Sequence, residues 1–321
     1  MSTVSKISCL IIALLSAIIL TSCSRNTPSN SPAAISSTYY GLKTADGKDL
    51  VLKAPPQKIV SLALRADDIA LALVGTKRIL AFCKYADNPL ISNIPAEAAK
   101  QVKYRSEPSL EYLLKLQPDL VIVPESQSAD LIYSLRKLGI PVYVSRTAHN
   151  IADVQTLILD LGRVVSEQEK SQALITHMHQ RLARIQKAVA KIPVKERPVV
   201  YRLSISGGNG GKGSSYDDVC QKAGVINGAA QMHLWGTQLL PKEQIVKINP
   251  DIIFLPDWDW RGGDVDHYIE ECVHDPALQS VKAIKTRRLY KIPDKHMLCS
   301  SQYIVDCVED IYQACYGPLP K

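Results

Sequence analysis

"LEYLLKLQPDLVIV" at residues 110–123 returns, altered, as "KEQIVKINPDIIFL" at residues 242–255. At a constant offset of 132 residues, Glu111 pairs with Glu243, Lys115 with Lys247, Pro118 with Pro250 and Asp119 with Asp251, with apolar residues in register around them. In each copy a helical pattern is stopped by proline, and an uncharged run follows that reads as a buried strand. Ser109 stands where a helix cap is needed. Glu111 falls in the first turn, where a carboxylate suits the positive end of the helix dipole. A chain that writes one helix–stop–strand unit twice is expected to hold two related α/β halves.

Outward from the first copy, short apolar strands alternate with amphipathic helices. "KIVSLAL" (58–64) reads as a strand, "ADDIALALVG" (66–75) as a helix closed by glycine, and "RILAF" (78–82) as a strand. After the copy come the helix "SADLIYSLRKLG" and the strand "IPVYVS", so residues 55–150 are expected to form an N-terminal α/β lobe with a parallel sheet. Between Ile151 and Ile192 the β signal disappears. There "SEQEKSQALITHMHQRLARIQKAVAKI" (166–192) repeats apolar residues at a helical period, through Ala173, Leu174, Met178, Leu182, Ile185 and Val189. Such a helix would run about 40 Å, which makes 151–192 a helical linker. Residues 193–321 resume the alternation as a C-terminal lobe and close on a helix at 301–317.

The opening residues are set apart from the fold. After Lys6 an apolar run from Leu10 to Leu20 is too short to cross a bilayer, which takes about 20 apolar residues, but it has the length of a signal-peptide core. Residues 1–22 are read as a leader. Leu20-Thr21-Ser22-Cys23 resembles the lipobox of bacterial lipoproteins, which makes Cys23 the expected lipid carrier on an extracytoplasmic membrane face. The Ser-, Pro- and Asn-rich stretch that follows begins a tether and lead-in segment over 23–54.

The 321 residues are 46% hydrophobic and 21% charged, a globular composition long enough for two domains. The formal charge of +7 is scattered along the chain, which argues against nucleic acid as a partner. Six cysteines lie beyond Cys9 and Cys23 in no CxxC spacing, and a disulfide between Cys220 and Cys315 is expected.

Five stretches, in this order and spacing, carry a resemblance: "KIVSLALRADDIALALVGTKRILAF", "PSLEYLLKLQPDLVIV", the helix 166–192, "LLPKEQIVKINPDIIFL" and, near the end, "DPALQSVKAIKTRRLYKIP". Over roughly residues 55–317 the chain resembles the substrate-binding lipoproteins of ABC importers for ferric siderophores, haem and cobalamin. The resemblance implies two Rossmann-like lobes joined by one long helix, the class III periplasmic-binding-protein arrangement. It also implies a monomer without enzymatic activity, a metal chelate as cargo rather than a cofactor, and a permease dimer as partner. Glu111 and Glu243 match the glutamates, one on each lobe, that meet arginines of the permease.

Ligands of α/β lobes sit beyond the carboxyl ends of the strands. On the first lobe that rule selects Arg65 and Ala66, Lys84 and Tyr85, Tyr104 and Arg105, and Glu125 and Ser126. On the second it selects residues 206–216 with Lys212 and Tyr216, residues 232–236 with Trp235, and residues 256–263 with Trp258, Trp260 and Arg261. The three tryptophans are flat surfaces suited to a macrocycle or an aromatic siderophore. The glycine loop departs from a P-loop, because Gly213 follows Lys212 and Ser206 stands where the first glycine is required. Tyr104, seven residues before Glu111, matches the position of the axial tyrosine in haem receptors of the resembled family, although "YRSEPSLE" lacks the rest of their pattern. His177 and His179, two apart on a helix, face different directions and make a poor metal site, while His233 or His296 could cap a cobalt or iron centre. The rival reading, an exported α/β enzyme, lacks a GxSxG elbow and a grouped Cys, His and Asp set in the sequence.

Overall fold

A computed structural model of the chain describes residues 40–205, 210–233, 235 and 241–320; Cys23 and the expected leader lie outside them. The chain enters as an antiparallel hairpin of β1 (Tyr40–Lys43) and β2 (Asp49–Leu52). This part of the expected lead-in is folded: Leu50 and Leu52 are buried, and Asp46 in the turn pairs with Arg136 at 2.5 Å.

The first lobe then runs β3 (Ile59–Ser61), α1 (Leu64–Val74), β4 (Ile79–Cys83), α2 (Ala96–Gln101), β5 (Tyr104–Ser106), α3 (Leu110–Leu116), β6 (Leu120–Pro124), α4 (Ala129–Lys137) and β7 (Val142–Ser145). Its sheet is parallel throughout, in the order β5-β4-β3-β6-β7. Because helices cover both faces, β3 and β7 are buried along their whole length, which explains runs of apolar residues without alternation.

Residues 151–192 hold the expected long helix, preceded by a shorter one. α5 (Ile151–Val164) precedes α6 (Gln168–Val189), whose 22 residues span about 33 Å. The two helices approach closely where Gly162 meets Ser171: a Cβ on Gly162 would lie 2.4 Å from Ser171 Oγ. The inward stripe of α6 is Ile175, Met178, Leu182, Ile185 and Val189, whereas Ala173, expected on it, is exposed.

The second lobe follows as β8 (Val199–Arg202), α7 (Ser215–Ala223), β9 (Ile226–Asn227), α8 (Gly228–Gln231), α9 (Lys242–Ile248), β10 (Ile252–Leu255), α10 (Val265–His274), α11 (Lys282–Lys285), β11 (Leu289–Lys291), α12 (Asp294–Met297) and α13 (Ile304–Tyr316). Its parallel sheet has the order β11-β10-β8-β9. A single apolar core passes from one sheet to the other: Ile59 and Ile122 of the first lobe, Leu157, Met178 and Ile185 of the linker, and Val200, Phe254 and Ile311 of the second all belong to it.

The repeated motif builds the same device in each lobe. α3 ends at Gln117 and α9 at Asn249, both in the left-handed conformation (φ 51° and 46°), and a proline follows each. Asp119 then accepts the backbone N–H groups of Gln57 (2.7 Å) and Lys58 (2.8 Å), and Asp251 accepts that of Val199 (2.8 Å). Each aspartate therefore fastens its own strand to the start of the neighbouring one.

The disulfide expectation is corrected. All six described cysteines are free thiols, Cys220 and Cys315 included. Cys220 is fully buried on α7, in the core shared with α13, and that burial pushes its thiol well above the ordinary range and keeps it protonated.

Candidate functional site

The carboxyl ends of the two sheets border an interlobe cleft with two chambers of about 240 and 310 Å³, which share Trp258 and Leu298. Arg65, Asp68 and Tyr85 of the first lobe line the smaller chamber; Arg202, Tyr216 and Trp260 of the second line the larger. Local structure explains the placement. Arg65 opens α1 just beyond β3, Tyr85 follows β4, and Trp258 and Trp260 follow β10. Tyr85 and Trp258 meet across the cleft edge to face, with ring centroids 6.2 Å apart at 78°.

Trp258 is held by a reciprocal turn. Asp294 Oδ2 accepts the N–H groups of Asp257 and Trp258, each at 3.0 Å, and Asp257 Oδ1 accepts the N–H of Asp294 at 3.0 Å. Burial pushes the Asp294 carboxyl up to about 6. Arg65 is half-buried, with one Nη donating to Ser145 Oγ at 3.4 Å and Nε lacking a hydrogen-bond partner among the described residues. Desolvation lowers its pKa against the opposing pull of Glu125.

Among the expected ligand residues, Arg65, Tyr85, Trp258 and Trp260 come together on the chambers. Tyr216 reaches the larger one only as a buried core residue of α7 whose ring lies against Gly210. Lys212 and Trp235 form a separate cation–π pair at 5.2 Å, and Arg261 lies over Trp260 at 5.2 Å; neither Lys212, Trp235 nor Arg261 lines the chambers. Tyr104 lies on the edge strand β5 with Lys103 over its ring and lines neither chamber.

Arg105 is corrected to a structural role. Its five N–H donors are all engaged: two with Asp87 (2.6 and 2.5 Å) and three with the carbonyls of Val102, Tyr104 and Ala99. It borders a cavity of about 660 Å³ between the lobes, which shares Asn93 and Lys295 with the smaller chamber. His296 Nδ1 is turned to Asp310 Oδ2 at 2.6 Å, while His177 and His179 are exposed on α6, the latter bonded to Gln155 at 2.8 Å.

The residues that sequence reasoning missed are mostly those of 294–303, which follow β11 and cross back toward the first lobe. Lys295, Leu298 and Cys299 all line the smaller chamber. The carboxyl-end rule points to this loop too, since it follows β11, but its composition carries no glycine or tryptophan to attract notice. Asp67 and Asp68 of α1 were also missed, since the carboxyl-end rule stopped at Arg65 and Ala66. Both are buried, at 0% and 5% exposure.

Two parallel α/β lobes, a helical linker and an aromatic-walled cleft at the strand ends define a bilobal solute-binding protein. The chain belongs to the periplasmic binding protein family, whose profile matches residues 59–296. It is 25% identical over 314 residues to an uncharacterized ABC transporter substrate-binding lipoprotein of Bacillus subtilis, covering 94% of this chain and 95% of that one. A cobalamin-binding protein of Halobacterium salinarum is 25% identical over 213 residues, 65% of this chain and 56% of that protein. Among solved structures, a periplasmic binding protein from Veillonella parvula superposes with a TM-score of 0.71 at 19% identity, over 88% of this chain and 95% of that one, a likeness of fold.

Proposed function

We propose that the chain is the substrate-binding lipoprotein of an ABC importer, anchored through Cys23, which captures a bulky metal chelate without chemically altering it. The observation that carries this reading is the Tyr85–Trp258 contact, in which an aromatic ring from each lobe meets over the cleft. A ligand filling both chambers would run along Trp258, which borders each, and meet Tyr85 in the smaller one, a broad aromatic surface. A corrinoid fits that requirement, and the similarity to a cobalamin-binding protein supports it.

A ferric siderophore is the second reading. Arg65, with Nε unpartnered, and Lys295 stand in the smaller chamber and favour an anionic chelate. For haem, Tyr104 would have to serve as axial ligand from outside both chambers. Glu111 and Glu243 are exposed in the first turns of α3 and α9, positions open to a two-fold permease, with the receptor acting as a monomer.

The test is tryptophan-fluorescence quenching by cobalamin, haemin and a panel of ferric siderophores. Saturable quenching with a Kd below about 1 µM is expected for one of them. Quenching by none of them at that level would overturn the ligand class, and consumption of any of them would favour an enzyme.

A further inference from the structure

Residues 294–302 follow β11 in the second lobe, yet they are hydrogen-bonded to the first lobe at both ends. At the near end, Lys295 N–H donates to the Leu90 carbonyl at 2.9 Å, and Asn93 Nδ2 donates to the Lys295 carbonyl at 2.8 Å. The same Nδ2 lies 3.7 Å from Cys299 Sγ, and the Asn93 amide also bonds the Asp68 carboxyl. At the far end, Ser301 Oγ donates to Asp68 Oδ2 at 2.7 Å, and the side-chain amide of Gln302 to the Asp68 carbonyl at 3.0 Å. Asn93 stands at the crossing and borders both the smaller chamber and the cavity beside Arg105.

One residue before Lys295, Asp294 holds the turn that carries Trp258. Beyond β10 the N–H groups of Asp257 and Trp258 go to Asp294 Oδ2 rather than to a neighbouring strand. The attachment therefore runs from the first-lobe loop through Asn93, Lys295 and Asp294 to Trp258. Of the two bonds that fix the Lys295 backbone, one is backbone to backbone and the other comes from the Asn93 side chain, so Asn93 is where a substitution can act. Every second-lobe residue that lines the smaller chamber, namely Trp258, Lys295, Leu298, Cys299 and Ser300, lies on this segment or on the turn it holds.

We infer that Asn93 is a positioning residue for the cleft: through Lys295 and Asp294 it sets where Trp258 stands, so that an aromatic wall supplied by the second lobe is anchored in the first. A wall fixed before the ligand arrives spares the binding step the cost of ordering it. The consequence for affinity rests on the cleft being the ligand site, whereas the placing of Trp258 does not.

The experiment uses the ligand-free chain carrying Trp235→Phe and Trp260→Phe, which leaves Trp258 as the one tryptophan, and reads its quenching by acrylamide. Asn93→Asp keeps the shape of the side chain but sets an acceptor against the Lys295 carbonyl. Asn93→Asp and Asn93→Ala are each expected to raise the quenching constant about twofold or more, and Asp294→Ala, which cuts the last link, at least as much. Asp119→Ala, which loosens the first-lobe sheet away from the cleft, should leave the constant unchanged. Parent-like quenching in Asn93→Asp overturns the inference, because shape rather than the bond would then suffice; an equal rise in Asp119→Ala overturns it as well, because the effect would be general loosening. If Asn93→Asp does not fold, parent-like quenching in Asn93→Ala does the same. Since no ligand is added, failure of every candidate to bind would remove the ligand reading and leave this readout intact.

Discussion

Asp119 draws the chain ahead of β3 against β6 through two backbone N–H groups, and Asp251 does the same for β8 and β10 through Val199, with Lys282 paired to its free side. Behind each aspartate stand a proline, a left-handed cap and a short helix opened by an exposed glutamate. At the rims of the same two sheets the correspondence ends. The first lobe supplies Arg65, one buried carboxyl, Asp68, and a single aromatic ring, Tyr85; the second supplies Lys295, Arg202, two tryptophans and the turn that holds one of them. Backbone fastening tolerates few alternatives, so it is repeated. Loop chemistry is free to differ between the lobes, so it is not.

Four measurements would break or sharpen that contrast. The repeated glutamates carry the largest expected effect: Glu111→Ala with Glu243→Ala should lower uptake about a hundredfold or more while ligand affinity is unchanged. Normal uptake by the double variant would end the docking assignment. On the unlike rims, Trp258→Ala should weaken ligand binding about thirtyfold, near 2 kcal/mol, and Tyr85→Ala, whose ring is 39% exposed, by clearly less. Equal losses in the two titrations would mean that the lobes contribute alike.

Asp119→Ala and Asp251→Ala should each cost about 1–2 kcal/mol in urea unfolding, through unpaired backbone donors. Destabilisation by only one would show that the second copy is inherited without need. The smallest effect concerns Asp67, buried on the first lobe and accepting the Cys83 N–H at 2.9 Å. Burial raises its carboxyl from 3.8 to about 8, so its contribution to stability is full below pH 3.8 and is lost as pH rises through 8. Asp67→Asn should therefore raise Tm at pH 8.5 by about 2 °C and flatten the decline between pH 4 and 8. A Tm at pH 8.5 equal to or below that of the parent chain would contradict the assignment.

Much of the frame was legible because periodicity and punctuation are local. The uncharged strands, the proline stops and the α6 stripe all follow from spacing, and the carboxyl-end rule selected Arg65, Tyr85, Trp258 and Trp260, which line the chambers. What escaped depends on contacts distant in sequence. Arg105 reads as a free cation until Asp87 and three carbonyls surround it. Asp68 carries no signal of its own until Ser301, 233 residues away, is seen to donate to it. The long helix is expected to start at Ser166, and the chain does break there, at a left-handed residue (φ 59°).

The apolar core that runs unbroken from β3 through α6 to β10 also bears on how this protein can be dissected. Cut at the linker, either lobe would carry away one wall of a shared interior and expose the other to water. The lobes are thus halves of one cooperative unit: heating should give a single calorimetric transition, and the smallest piece that folds alone should be the whole bilobal body.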